Sequence, residues 1–163
     1  MLFRSGMAML SDWQASAYIT TKLSNYTEGL DTDPSFVDQV TGESTAAPFE
    51  GIVSFGGPFV NPVVNRAESP ATPPSDRAPI KFHSENGTYY FQRSDGTPIP
   101  DASLHESVIN TDQDLFVIES YRDSEGRYNL LSYGFGWKGT YAAGKYFHSE
   151  IYLDLDEYPY NWV

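Results

Sequence analysis

The hydrophobic pattern of this chain is most regular between Leu115 and Leu153, where its period changes twice. Leu115, Phe116, Val117 and Ile118 form an unbroken apolar run, the pattern of a strand covered on both faces. Asp123, Ser124, Glu125 and Gly126 are turn residues. A second strand pattern follows, with Tyr128 and Leu130 on one face and Leu131 and Tyr133 on the other. Gly134-Phe135-Gly136-Trp137-Lys138-Gly139 interrupts it. From Thr140 onward Ala143, Phe147 and Ile151 recur four apart and share a helix face. The stretch predicts strand, hairpin, strand, glycine turn and helix.

Nearer the start, Ser11-Asp12-Trp13-Gln14 has the form of a capping box. It predicts a helix over 12–26 with Trp13, Ala17 and Thr20 on one face. Asp33-Pro34 is a second start signal, with Phe36, Val37 and Val40 as the buried side and Thr41-Gly42 as the end. Ile52-Val53-Ser54-Phe55 reads as a buried strand that Gly56-Gly57-Pro58 ends sharply. Asn61-Pro62 then opens a short helix through Val63, Val64 and Ala67, which makes half of a βαβ unit. Pro70, Pro73, Pro74 and Pro79 predict an extended, exposed linker over 68–79. After it, Ile80-Lys81-Phe82 and Tyr89-Tyr90-Phe91 flank Asn86-Gly87, a hairpin signal. Residues 94–101 read as a turn-rich loop, and 104–109 fit strand or helix equally.

Together these elements predict an α/β fold, with α+β as the variant: a mixed sheet with packed helices in a two-layer or three-layer sandwich. The plan is an N-terminal part over 1–67, a linker over 68–79 and a C-terminal part over 80–163, combined in one domain. The broken apolar start and the strand-like end near Tyr158 to Val163 predict a piece of a longer chain.

Composition narrows the function. The 163 residues carry a net charge of −12, which disfavours nucleic acid and anionic membrane surfaces as partners. There is no cysteine, so disulfides and thiolate metal sites are excluded. No apolar run approaches the ~20 residues of a membrane helix. The 12 tyrosines suit sheet surfaces and contacts between subunits.

Several motifs have a chemical reading beside a plainer one. Gly134, Gly136 and Gly139 match G-x-G-x-x-G between a strand and a helix, the context of a dinucleotide fingerprint. Asp154 and Asp156 stand near the distance of a ribose-binding acid. Against that reading, the strand leaves a hairpin, and Trp137 and Lys138 are bulky where backbone should meet pyrophosphate. The plainer reading is a strand-to-helix turn whose glycines allow positive φ and close packing, with Trp137 covering it and Gly144 extending the small surface. Gly56-Gly57-Pro58 also reads as structural. His83, His105 and His148 are scattered and read as surface or hairpin residues, and His105 has no histidine four residues away as the helical zinc motif requires. Asp31 with Asp33, Asp112 with Asp114, and Asp154 with Asp156 are acidic pairs. They match no complete EF-hand loop and read as solvated, calcium being the one cofactor they leave open. Asn25-Tyr26-Thr27 and Asn86-Gly87-Thr88 are glycosylation sequons.

Residues 52–61, IVSFGGPFVN, resemble a strand-turn-helix motif of archaeal S-layer and related cell-surface proteins. Residues 133–144, YGFGWKGTYAAG, resemble the C-terminal part of the same proteins. The resemblance spans 52–144. It implies an extracellular, non-enzymatic domain whose partners are other copies or domains of a surface layer. In it Gly56, Gly57, Pro58, Asn61, Gly134, Gly136, Trp137, Gly139 and Gly144 are structural, and there are no catalytic residues to carry over. The rival readings are an enzyme using a nucleotide at 134–139 and a carbohydrate-binding module presenting Trp13, Trp137 and Trp162.

Overall fold

A computed structural model describes residues 2–3, 10–26, 34–159 and 161–163. The chain forms β1 (Leu2–Phe3), α1 (Leu10–Leu23), β2 (Gly51–Phe55), α2 (Pro62–Glu68), β3 (Ile80–Glu85), β4 (Thr88–Arg93), β5 (Pro98–His105), β6 (Phe116–Arg122), β7 (Tyr128–Gly134) and α3 (Trp137–Ser149). Short 3-10 turns connect some of them. The main sheet has the order β1-β2-β7-β6, with β1, β2 and β7 parallel and β6 antiparallel to β7. A second, antiparallel sheet has the order β3-β4-β5. The fold is therefore a mixed sheet with packed helices, of the α/β or α+β kind.

Side-chain alternation divides the main sheet into two cores. Val53, Phe55, Ile118 and Leu130 face α1 and α3, where Ala15, Ile19, Ala143 and Phe147 meet them. Val117, Tyr121, Leu131 and Tyr133 face the other way, onto Val64 and Ala67 of α2 and onto Ile80 and Phe91 of the second sheet. Three layers result: two helices, the main sheet, then α2 with the small sheet. The run beginning at Leu115 is apolar because β6 is covered on both faces. The β6–β7 turn is organised by Asp123, whose Oδ1 accepts the N–H groups of Glu125 at 3.0 Å and Arg127 at 2.9 Å. Its Oδ2 takes the Arg127 guanidinium at 2.8 Å.

The structure corrects several expectations. α1 starts at Leu10, so Ser11 lies inside it, and its buried stripe is Ser11, Asp12, Ala15, Ser16 and Ile19. Trp13 and Ala17 are exposed. Small residues take the inner face because α1 lies close on α3, a spacing no tryptophan would fit. The segment after Pro34 makes one turn, Pro34–Phe36. Asp38 Oδ1 then accepts the N–H groups of Val40 and Thr41, both at 2.8 Å, and turns Val40 out to solvent. The Asp33 cap and the pair Asp31 and Asp33 lie outside the described residues. Residues 94–109 hold β5 and a turn capped by His105. Pro98 and Pro100 are tolerated because β5 is an edge strand. Ile151 is buried as expected, although α3 has already ended at Ser149. Trp162 pairs antiparallel with Ser120 on the outer edge of β6.

The proline-rich segment is not a free linker. Arg77 donates to the carbonyls of Thr72 and Pro70, both at 2.6 Å, and Thr72 donates to Arg66 O at 2.6 Å. Ala78 is buried in the second core. Four prolines exclude an α-helix and leave a single 3-10 turn at Pro74–Asp76, with carbonyls that one arginine gathers. Among the described residues no helix is long and apolar enough to cross a membrane.

Two buried acids close the open edge of β3. Moving along that edge, the Ala78 N–H donates to Ala67 O, the Ile80 N–H to Glu119 Oε2 and the Phe82 N–H to Glu68 Oε2, each at 2.9 Å. Glu68 also accepts the Tyr133 hydroxyl. Glu119 is fully buried, and among the described residues its Oε1 has no hydrogen-bond partner. Burial pushes Glu68 up to about 7 against the pull of its hydrogen bonds from Tyr133 and Phe82. Burial, and secondarily the nearby Glu68, push Glu119 well above the usual carboxylate range.

Both folded-state values are raised, so the native state holds protons that the unfolded chain releases. For Glu68 the stabilisation is complete below about pH 4.5 and is lost as pH rises to about 7. It amounts to about 3 kcal/mol. Denaturant unfolding should show a smaller fall in stability from pH 5 to pH 8 for Glu68→Gln than for the unmodified protein. Parallel pH profiles for the two proteins would contradict the assignment.

Candidate functional site

In the main sheet β2 and β7 are parallel neighbours. The helix after β2, α2, packs on one face, and the helix after β7, α3, packs on the other. Their divergence opens a crevice beyond the carboxyl ends of the two strands, the place where open α/β sheets bind ligands. It measures about 250 Å³. Its walls are Gly56 to Val60 after β2, Tyr133 to Trp137 with Thr140 around the end of β7, Ser11 with Asp12 at the start of α1, Phe82 of β3 and Asn110 ahead of β6.

The loop after β2 is set by Asn61. Its Oδ1 accepts the N–H groups of Val63 and Val64 at 2.9 and 3.3 Å, and its Nδ2 donates to Phe55 O at 2.9 Å. One buried side chain thus caps α2 and clips it to the end of β2. Gly56 has φ +85°, which glycine adopts without strain. Gly57 lies against the Tyr133 ring. Pro58 follows Gly57 on the crevice wall.

The glycines after β7 work differently. Gly134, Gly136 and Gly139 do not have positive φ. What they allow is close approach. A side chain on Gly134 would land on the Gly139 backbone, and one on Gly136 would land on the Asn110 amide. One on Gly139 would come within 2.7 Å of Asp114 Oδ1 and of Leu115 O. Gly144 meets the backbone of Ala15. Trp137 does not cover the turn as expected. It is 48% exposed and stands on the crevice wall.

The N–H groups that would hold a pyrophosphate are engaged by the protein. Asp114 Oδ1 accepts from Gly136 at 3.2 Å and its Oδ2 from Gly139 at 2.8 Å. Asn110 Oδ1 accepts from Lys138 at 3.2 Å, and Thr140 Oγ1 accepts from Gly134 at 3.0 Å. A carboxylate already occupies the anion position of the helix start. No known protein family, characterised protein or solved structure matches this chain.

The other sequence-derived residues are dispersed. His83 lies tilted against Tyr90, His105 pairs with Ser107, and His148 meets Tyr18. Among the described residues no group of three or more histidines and carboxylates could hold a metal ion. Asp114 is committed to α3, while Asp112, Asp154 and Asp156 are exposed. Asn86 is exposed at the β3–β4 hairpin tip, and Asn25 is exposed with its amide on the Tyr152 hydroxyl. Ser11, Asp12, Glu68 and Glu119 were not legible as site or core residues. The only signal for Glu119 was its parity with Val117 and Tyr121 along β6.

Replacing Asp114 with alanine should lower stability by about 2 kcal/mol, since two amides at a helix start lose their acceptor. It should also vacate an anion position, so sulfate should raise the melting temperature of the variant more than that of the unmodified protein. Unchanged stability would contradict the capping role.

Proposed function

We propose that this chain is a non-enzymatic domain of a cell-surface protein of the archaeal S-layer kind, with a structural or interaction role. The observation that carries the non-enzymatic reading is Asp114, which fills the anion position of the glycine turn. A nucleotide would have to displace a carboxylate already bonded to two amides, and among the described residues no lysine or arginine lines the crevice to offset the exchange. The residues that resemble the surface-protein motifs are engaged in making the fold: Asn61 clips α2, and Gly134 and Gly139 bring α3 onto β7. The exposed sequon at Asn86 and the acidic composition accord with an extracellular location. Its partners are other copies or other domains of the same layer.

Protease treatment of intact cells of the source organism should release peptides of this chain without lysis. Peptides that appear only after lysis would overturn the surface location. In parallel, calorimetric titration with NAD, FAD and ATP should give no saturable heat. Binding in the micromolar range, lost in Gly136→Val while that variant stays folded, would favour the nucleotide enzyme instead.

A further inference from the structure

The geometry points to the crevice between β2 and β7 as a binding site for a neutral sugar ring. Its rim leaves aromatic surface in water: Phe59 is 77% exposed and Trp137 is 48% exposed. Phe59 packs edge-on against Phe82 at 5.3 Å, which holds the exposed ring in place. Exposed, held aromatic faces suit a ligand with apolar C–H faces. Between the rings the wall is mainly apolar, with Ser11 among its few polar side chains. Ser11 is 4% exposed, and among the described residues its Oγ has no hydrogen-bond partner. A ligand hydroxyl reaching this part of the wall would supply the missing partner. Asp12, Asn110 and Thr140 are the other polar residues on the crevice lining.

Charge disfavours ionic ligands. An anion finds the α3 amides already taken by the Asp114 carboxylate and has Asp12 on the crevice lining. A cation drawn to the indole meets the Lys138 ammonium, which already lies 5.6 Å from the Trp137 ring centroid and is fixed by a 2.9 Å bond to Thr111 O. An uncharged ring with hydroxyls at its edges avoids both conflicts. The crevice, at about 250 Å³, lies at the small end of ligand sites, which fits one ring better than a chain. The assignment is independent of where the protein resides.

The three tryptophans give three indole N–H resonances, and that of Trp137 is identified by its loss in Trp137→Phe. The unmodified protein is titrated with the methyl glycosides of glucose, galactose and mannose and with N-acetylglucosamine. At least one should shift the Trp137 resonance saturably, with a Kd of about 1 mM. Trp137→Ala and Phe59→Ala, both at exposed positions, should weaken that sugar by about tenfold or more. Ser11→Ala should weaken it several-fold without lowering the melting temperature, because it removes an unsatisfied hydroxyl. A merely structural serine would show no loss of sugar binding. The proposal is overturned if no sugar shifts the resonance, if binding survives in both aromatic variants, or if choline chloride or inorganic phosphate saturates the crevice instead.

Discussion

The close seating of α3 is the constraint on which the rest of the structure depends. Its backbone touches other backbone on three sides. Gly139 meets Gly134 at the end of β7, it also approaches the carbonyl of Leu115 before β6, and Gly144 meets Ala15 of α1. Contacts this close leave no room for a Cβ, which explains glycines in a helix that propensity alone would fill with alanine. The seating also brings Asp114 to the start of α3, where its carboxylate serves two amides. One packing requirement therefore both aligns the helix layer and removes the anion chemistry that the glycine spacing suggests.

On the opposite face the constraint is polar. The second sheet presents the edge of β3 to the main sheet, and Glu119 and Glu68 supply acceptors for alternate N–H groups along it. Among the described residues neither acid forms an ion pair, and burial outweighs the pull of Lys81 on Glu68, so both are held toward the neutral form. An edge closed by side chains in this way cannot recruit another strand. The helix layer and the small sheet lie on opposite faces of the β2–β7 pair. The crevice is the gap left between the two helices that depart in opposite directions.

Much of this was legible where chemistry is local. The Asn86-Gly87 hairpin, the Asn61 cap with Pro62 following it, and the β6–β7 hairpin each depend on residues a few positions apart. The order strand, glycine turn, helix after Tyr128 was legible for the same reason. Features that depend on distant partners were not. The inner face of α1 follows from Gly144, more than a hundred residues away, so Ala15 displaced the larger Trp13. The prolines over 68–79 suggested a free linker because the carbonyls they expose gave no sign that Arg77 would collect them. Asp114 read as half of a solvated acidic pair because its amide partners lie beyond β6 and β7. Glu119 drew no reading because the β3 edge it serves is thirty-nine positions away.

The seating of α3 is tested most directly by the unfolding free energy of Gly144→Ala, measured by denaturant titration. In an ordinary helix interior this change stabilises by about 1 kcal/mol. With the backbone of Ala15 against this position, the added methyl must instead force the two helices apart, at a cost of about 1–3 kcal/mol. The account therefore predicts a loss of stability. A gain near the value expected from helix propensity would show that α1 and α3 are not held together at backbone distance, and would contradict it.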